Sequence, residues 1–298
     1  MRCSAAREAG LDYNPDFNDW SRSQEGYGEF DVTQKRGVRA DAFRQFLKPA
    51  LKRENLRVIS DARASKVLFD DADPKRAVGV EYRRTGSEVL KKEIHVAPGG
   101  EVILCAGAIH SPHLLLLSGV GPKEQLLSHG IDVVHDLPGV GVNLQDHPAA
   151  LSAYFLKPEY EDMAVTSIFG GDGKVKWQVM VEYGLFKTGP LCTTSCDHGA
   201  FIKTAGHDQP NIQLRFNAGY ALDPDGVGSF IKFGEILANG GTWPGGITLQ
   251  VVACRPSSRG TVSLASNDPL ADPAVDIGYF TDAEGKDLKS IREGTAPF

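Results

Sequence analysis

The residue best placed by type and spacing to do chemistry is Arg215, in the run NIQLRFNAG. Side chains of a β-strand alternate between faces, so Ile212, Leu214 and Phe216 fall on one side and Gln213, Arg215 and Asn217 on the other. The run ITLQVV divides in the same way, with Ile247, Leu249 and Val251 opposite Thr248, Gln250 and Val252. If the polar faces meet solvent, Arg215 and Gln250 are ordinary surface residues. If they meet a cavity, Arg215 is a buried cation that requires an anion, because an unpaired buried charge is strongly destabilising. A carboxylate is the natural partner for a guanidinium fork. Alternation alone leaves both readings open.

Sulfur and imidazole come next. The five cysteines, Cys3, Cys105, Cys192, Cys196 and Cys254, are odd in number and show no disulfide framework, which points to reduced thiols in an intracellular compartment. Cys192 and Cys196 are separated by three residues with His198 nearby, but no second ligand pair completes a zinc set. By residue type alone, Cys196 reads as a small buried hydrophobe. His147 stands in a Gly/Pro-rich loop, 136–147. A lone histidine is more often structural than catalytic, and a base is judged by geometry.

A third candidate is the stretch GEVILCAGAIHSPHLLLLSGVG, 100–121. Residues 101–106 read as a buried strand, Gly107 and Ala108 as a small-residue turn, and Ser111 with Pro112 as the start of a helix that Gly119 closes. A buried strand, tight turn and helix N-terminus suit the phosphate or ring edge of a flat ligand.

The remaining chain supplies the scaffold for these residues. Residues 1–30 read as loop with one short helix at 5–9. Residues 37–51 carry Phe43, Phe46, Leu47 and Leu51 at helical spacing and predict an amphipathic helix that breaks near Pro49. From Asn55 the period becomes two: LRVIS, ASKVLF, AVGVEY and VLKKEIHV read as strands joined by turns. Residues 122–129 predict a short helix capped by Gly130, followed by a strand at 131–134. Further alternating runs, LSAYFL, NIQLRFNAG, ITLQVVACRP and GTVSLAS, predict a second domain with a mostly antiparallel sheet at 149–276. Residues 286–292 begin another helix.

Composition limits the function classes. Hydrophobic residues make up 41% and charged residues 23% of 298, ordinary for a soluble globular protein of one or two domains. The net charge of −6, without a basic block or basic–aromatic interleaving, argues against a nucleic-acid partner. No apolar run approaches membrane-spanning length, and the N-terminus lacks the apolar core of a secretory signal.

The wording of the third stretch is more specific. CAGAIHSPHLLLLSGVGP, followed by DLPGVGVNLQDHP, resembles a signature of the glucose–methanol–choline family of FAD-dependent oxidoreductases. The resemblance implies a partial α/β FAD-binding domain at 1–148, an α+β substrate domain at 149–276 and a truncated return segment at 277–298. It implies FAD contacts from Ala64, Cys105, Ala106, Gly107 and Asn143. The family's GxGxxG turn, which holds the FAD pyrophosphate, does not occur in this sequence. The resemblance therefore covers the whole chain but only the middle of the family's sequence. It implies a fragment that alone binds FAD weakly or not at all and exposes apolar surface.

GPLCTTSCDHGAF, 189–201, resembles the fatty acid photodecarboxylase branch of that family, as do ALDPDGVGSF and WPGGITLQVVACRP. In that branch a cysteine in this motif and an arginine further on line the carboxylate end of the pocket. Arg215 follows Cys196 by 19 residues in matching context. The resemblance implies Cys196 and Arg215 as catalytic residues, Arg215, Gly226, Phe230 and Gln250 as substrate contacts, and a long-chain fatty acid converted to alkane or alkene and CO2. Phe230 replaces an expected tyrosine. The branch is plastid-located. Two alternatives stand beside this reading: a FAD-dependent alcohol oxidase or dehydrogenase, and an inert fragment. The sequence leaves the oligomeric state and the role of Cys196, water positioning or hydrogen donation, undetermined.

Overall fold

Ile212–Asn217 is the middle strand of a five-stranded antiparallel sheet. A computed structural model describes residues 2–84, 91–170, 174–193, 196–223, 226–241 and 245–296. The sheet order is Gly26–Glu29, His198–Ile202, Ile212–Asn217, Gly246–Ala253, Ala149–Phe155. Its register aligns Gly199 with Arg215 and Arg215 with Gln250. Period two then separates the faces. Tyr27, Ala200, Ile212, Leu214, Val251 and Ala253 form one buried cluster with Ile291 of the helix Lys286–Thr295. That helix lies so close to the sheet that a Cβ on Gly294 would stand 2.8 Å from Val251 and 3.0 Å from Ile212. Glycine is what admits the approach.

By its internal contacts the chain forms two units. The first comprises residues 1–52, 147–256 and 284–298; the second comprises 53–146 and 257–283. The units interleave along the chain, whereas the sequence reading placed linear cuts at 148 and 276. The hairpin Thr261–Ser263 with Ala274–Asp276 belongs to the second unit.

The second unit contains the meander Ala62–Phe69, Ala77–Arg84, Lys91–His95. The helix Gly107–Leu117 buries Leu116 and Leu117 against Val120, Leu126, Val140 and Leu264. The fully buried Ser118 ties this helix to the meander. Its hydroxyl donates to the Leu114 carbonyl at 2.5 Å and accepts from the Val67 amide at 2.8 Å.

Several local expectations are corrected. Residues 101–106 form no strand, and Ile103 is 77% exposed. Among the described residues no strand pairs with this run, so its backbone groups join no ladder. The helix begins at Gly107 rather than at Pro112, and Ser111 acts from inside it by accepting the Ala106 amide. The helix expected over 37–51 is shorter: residues 42–50 are continuously helical, π-helical over Phe43–Leu47 and α-helical over Lys48–Ala50, with Phe46 exposed. The first residues of the expected range are taken up by a hairpin, Gln34–Lys35 with Val38–Arg39, whose turn residues Arg36 and Gly37 both have positive φ. The runs LRVIS and 131–134 are irregular. The pairing instead falls one step later, where His135–Asp136 joins Val120–Gly121 in parallel.

Ser118→Ala should leave the buried Val67 amide without its acceptor. The expected loss is about 1–3 kcal/mol, read as a lower urea midpoint at unchanged slope.

Candidate functional site

Arg215 lies in the first unit, half-buried, flanked across the sheet by Gly199 and Gln250. The absence of a side chain at Gly199 matters, since a Cβ there would lie 2.6 Å from the Phe30 ring. Phe30, Phe17 and Phe201 pack together at mutual ring distances of 5.0 to 5.8 Å. Phe201 is two residues from Gly199 and shares its face, so an aromatic wall stands on the Arg215 side of the sheet. On the opposite face, around Leu214, Phe216 and Leu249, opens an apolar cavity of about 830 Å³ that Arg215 does not line.

Cys196 is brought to Arg215. The guanidinium lies near enough for its charge and N–H groups to act on the thiol. Burial pushes the Cys196 thiol above the ordinary cysteine range; the Arg215 charge opposes this, and the Asp197 charge reinforces it. Thiol and guanidinium together therefore present a neutral S–H and a fixed cation on one surface. Such a pair can hold an anion and offer a hydrogen to it.

Gln250 stands opposite Arg215 in the ladder and is half-buried. Beside it on the same face, Thr248 is buried, donating to the Gly219 carbonyl at 2.7 Å and accepting from the Ala221 amide at 2.9 Å. These bonds fix the segment that enters the helix Gly226–Ala238. Gly226 is the first residue of that helix. Phe230 lies within it, and its side chain falls outside the described residues. His147 is exposed.

The residues expected to touch FAD lie in the second unit. Ala64, Cys105, Ala106, Gly107 and Asn143 are all exposed. Gly107 has φ +82° with no atom within 4 Å of where a Cβ would stand, so the entrance to an 11-residue helix is open. Asn143 takes φ +63° in a loop that, with Ala108, Ser111 and Val262, lines a cavity of about 530 Å³. Ala64, Cys105, Ala106 and Gly107 are not among its lining residues. A small-residue helix N-terminus facing an open, glycine-rich loop fits the phosphate or ribose of a dinucleotide.

Comparison with known proteins decides the family. A family model for GMC oxidoreductases matches residues 1–149. The chain belongs to the GMC oxidoreductase family. It is 52% identical over 283 residues to a chloroplastic fatty acid photodecarboxylase of Chlamydomonas reinhardtii, covering 93% of this chain and 46% of that protein. It is 36% identical over 291 residues to an alcohol dehydrogenase (acceptor) of Pseudomonas putida, covering 97% and 48%. Its fold matches the crystal structure of formate oxidase with a TM-score of 0.80 at 22% identity, over 99% of this chain and 51% of that one. This GMC chain thus spans about half the length of the curated relatives it matches.

Sequence reasoning missed two groups around the cysteine–arginine pair. One is the aromatic wall of Phe17 and Phe30, supplied by a segment read as loop. The other is a polar chain of Thr193, Asp197, His198 and Glu29, which begins beside Cys196 and runs to the sheet face opposite Arg215. Its only sequence signal is the Asp-His dipeptide that follows Cys196.

Arg215→Gln should raise the thiol's pKa further by removing the nearby cation. In a Cys192→Ser background, alkylation of Cys196 by iodoacetamide at pH 8, read by peptide mass spectrometry, is expected to slow about threefold or more, because the thiolate is the reactive form.

Proposed function

We propose that the protein is a FAD-dependent, light-driven fatty acid photodecarboxylase. The observation that carries this reading is the nearness of Cys196 to Arg215, with Gln250 next to the arginine on its face of the sheet. The similarity to a photodecarboxylase at 52% identity supports it.

In this reading Arg215 binds the substrate carboxylate and fixes its orientation by charge and paired N–H donors. It cannot neutralise the acid by giving up a proton, since a guanidinium remains charged at all working pH values. The Phe17–Phe30–Phe201 wall excludes water beside the bound head group. Cys196 presents its S–H where the carboxylate would lie. The net reaction, RCOOH to RH and CO2, requires one hydrogen at the carbon that loses CO2, and the thiol can give it directly or hold a water that does. FAD, held by the segment from Cys105 to Gly107 and by Ala64 and Asn143, would supply the light absorption and the one-electron chemistry. Gly226 and Phe230 would line the path of the alkyl chain. The similarity to a chloroplastic relative supports a plastid location, and among the described residues no helix is long and apolar enough to cross a membrane.

A second reading, FAD-dependent alcohol oxidation, is favoured by the 36% identity to an alcohol dehydrogenase. The test separates them. Protein isolated from its source with its own flavin is given palmitate and divided between blue light and darkness. The expected result is a hydrocarbon one carbon shorter, formed only in light. Arg215→Lys should lower this turnover about tenfold while leaving flavin content unchanged. Flavin-loaded protein that makes no hydrocarbon in light but oxidises alcohols in darkness would establish the second reading.

A further inference from the structure

The segment WQVMVEYGLF has a single charged residue, Glu182, and forms a 10-residue helix, Trp177–Phe186, that buries none of its side chains. A helix on a globular domain ordinarily turns its apolar stripe toward the core. This helix does the reverse. Trp177, Met180, Val181 and Leu185 follow the i, i+3, i+4, i+8 spacing of one face, and all four are exposed, Trp177 at 69% and Leu185 at 72%. The half-buried residues are Val179, Glu182 and Tyr183, on the opposite side. The one carboxylate is thus turned toward the protein. Glu182 accepts the Thr188 hydroxyl at 3.1 Å and occupies the space a side chain at Gly189 would need.

The helix is held by its ends. The Lys176 amide donates to the Ile168 carbonyl at 2.8 Å, and Phe169 bridges to Val175. At the other end Lys187 takes φ +55°, and its carbonyl accepts the Cys192 thiol at 3.0 Å. Gly37 approaches so closely that a Cβ there would lie 2.2 Å from that carbonyl. Polar contacts therefore fix the helix with its apolar stripe outward. Single exposed apolar residues are ordinary, but a contiguous stripe on one ordered helix marks an interaction surface.

The charges around the stripe choose its occupant. Lys176 precedes it and Lys187 follows it, both exposed. Lys187 Nζ lies 4.5 Å from the Tyr183 ring centre and donates to the Gly184 carbonyl at 3.3 Å. Glu161 and Asp162 share a hollow with Lys176 but form no ion pair with it. A second copy is a poor partner. Antiparallel stacking of two stripes sets Lys176 against a second Lys187, and parallel stacking sets each lysine against its own kind. A surface that is anionic outside and apolar beneath complements both features at once. That is a lipid bilayer with acidic head groups, where indole and alkyl groups enter the acyl boundary and lysines reach back to the phosphates. At about 15 Å the helix is too short to span such a layer and lies along it.

We propose that the helix Trp177–Phe186 docks this protein on an anionic lipid surface, with Trp177, Met180, Val181 and Leu185 inserted and Lys176 and Lys187 on the head groups. The docking does not rest on the carboxylate reading of Arg215, and it is tested without fatty acid or light. Combined with that reading, it places the protein on the phase in which long-chain fatty acids dissolve.

The experiment is flotation of the full 298-residue chain with phosphatidylcholine vesicles, prepared with and without phosphatidylglycerol. The chain should float with the anionic vesicles, and less so as salt is raised. Trp177→Gln combined with Leu185→Gln leaves the charge unchanged and should weaken this partitioning about tenfold or more. Lys176→Gln combined with Lys187→Asn, an amide suited to positive φ, should weaken it about tenfold or more on anionic vesicles only. All four positions are exposed, and an unchanged thermal midpoint verifies that each variant folds. A parent chain that stays behind, floats equally on neutral and anionic vesicles, or floats no better than the Trp177→Gln, Leu185→Gln variant would overturn the proposal. Sedimentation velocity without lipid tests the rival occupant. An oligomer that the same two glutamines dissociate would assign the stripe to a second copy and overturn the proposal as well.

Discussion

Period-two alternation in Ile212–Asn217 is the constraint on which the first unit depends. Ile212 is fully buried and Leu214 nearly so, both on the face that meets the helix Lys286–Thr295. Seating these two side chains forces Arg215 to the other face. A slip of one residue would place the guanidinium against Ile291 and Val251, where a charge has no counter-ion, and expose two large apolar residues. The hydrophobic core therefore sets the position of the cation. The register with Gly246–Ala253 then brings Gln250 beside it, and the register with His198–Ile202 brings Gly199, the one residue small enough for the Phe30 ring to close over.

The alternation makes this arrangement legible in the sequence. Both polar faces were assigned from spacing, and the ladder joins them as Arg215 opposite Gln250. What spacing could not supply was the neighbour of Arg215. Cys196 lies outside the strands, in a loop held through Thr193, Asp197 and Phe30, and a role for it is implied only by the family resemblance. The edge strand Gly26–Glu29 was missed for a related reason. GYGE has no apolar alternation, because Gly26 and Gly28 sit where a Cβ would strike the backbone of Asp12 and Asn14, leaving Tyr27 alone to mark the buried side.

In the second unit the sequence misled where an apolar run has no partner strand among the described residues. Residues 101–106 resemble a parallel strand buried on both faces, yet a strand requires neighbours to take its amides and carbonyls. The helix that follows was recognised from its own punctuation, Ser111 and Pro112 before the leucines and Gly119 after them, and most of the cluster that buries Leu116 and Leu117 (Val120, Leu126 and Val140) is near in sequence, with Leu264 the distant member. Local punctuation thus survives as a sequence signal, whereas a long-range ladder depends on a second segment being present.

The charge balance at Arg215 bears on the choice of substrate class. A neutral alcohol bound over a half-buried guanidinium would displace water from the cation and return at most one or two hydrogen bonds, so part of the desolvation cost would stay uncompensated. A carboxylate returns full charge and a bidentate geometry. The neighbouring thiol sharpens this preference. As a neutral group it competes only weakly for the guanidinium, whereas a carboxylate side chain at position 196 would satisfy the arginine internally and close the site to acids. A cation paired with a thiol that resists ionisation is therefore an arrangement matched to an incoming anion, and it gives an alcohol substrate no comparable gain.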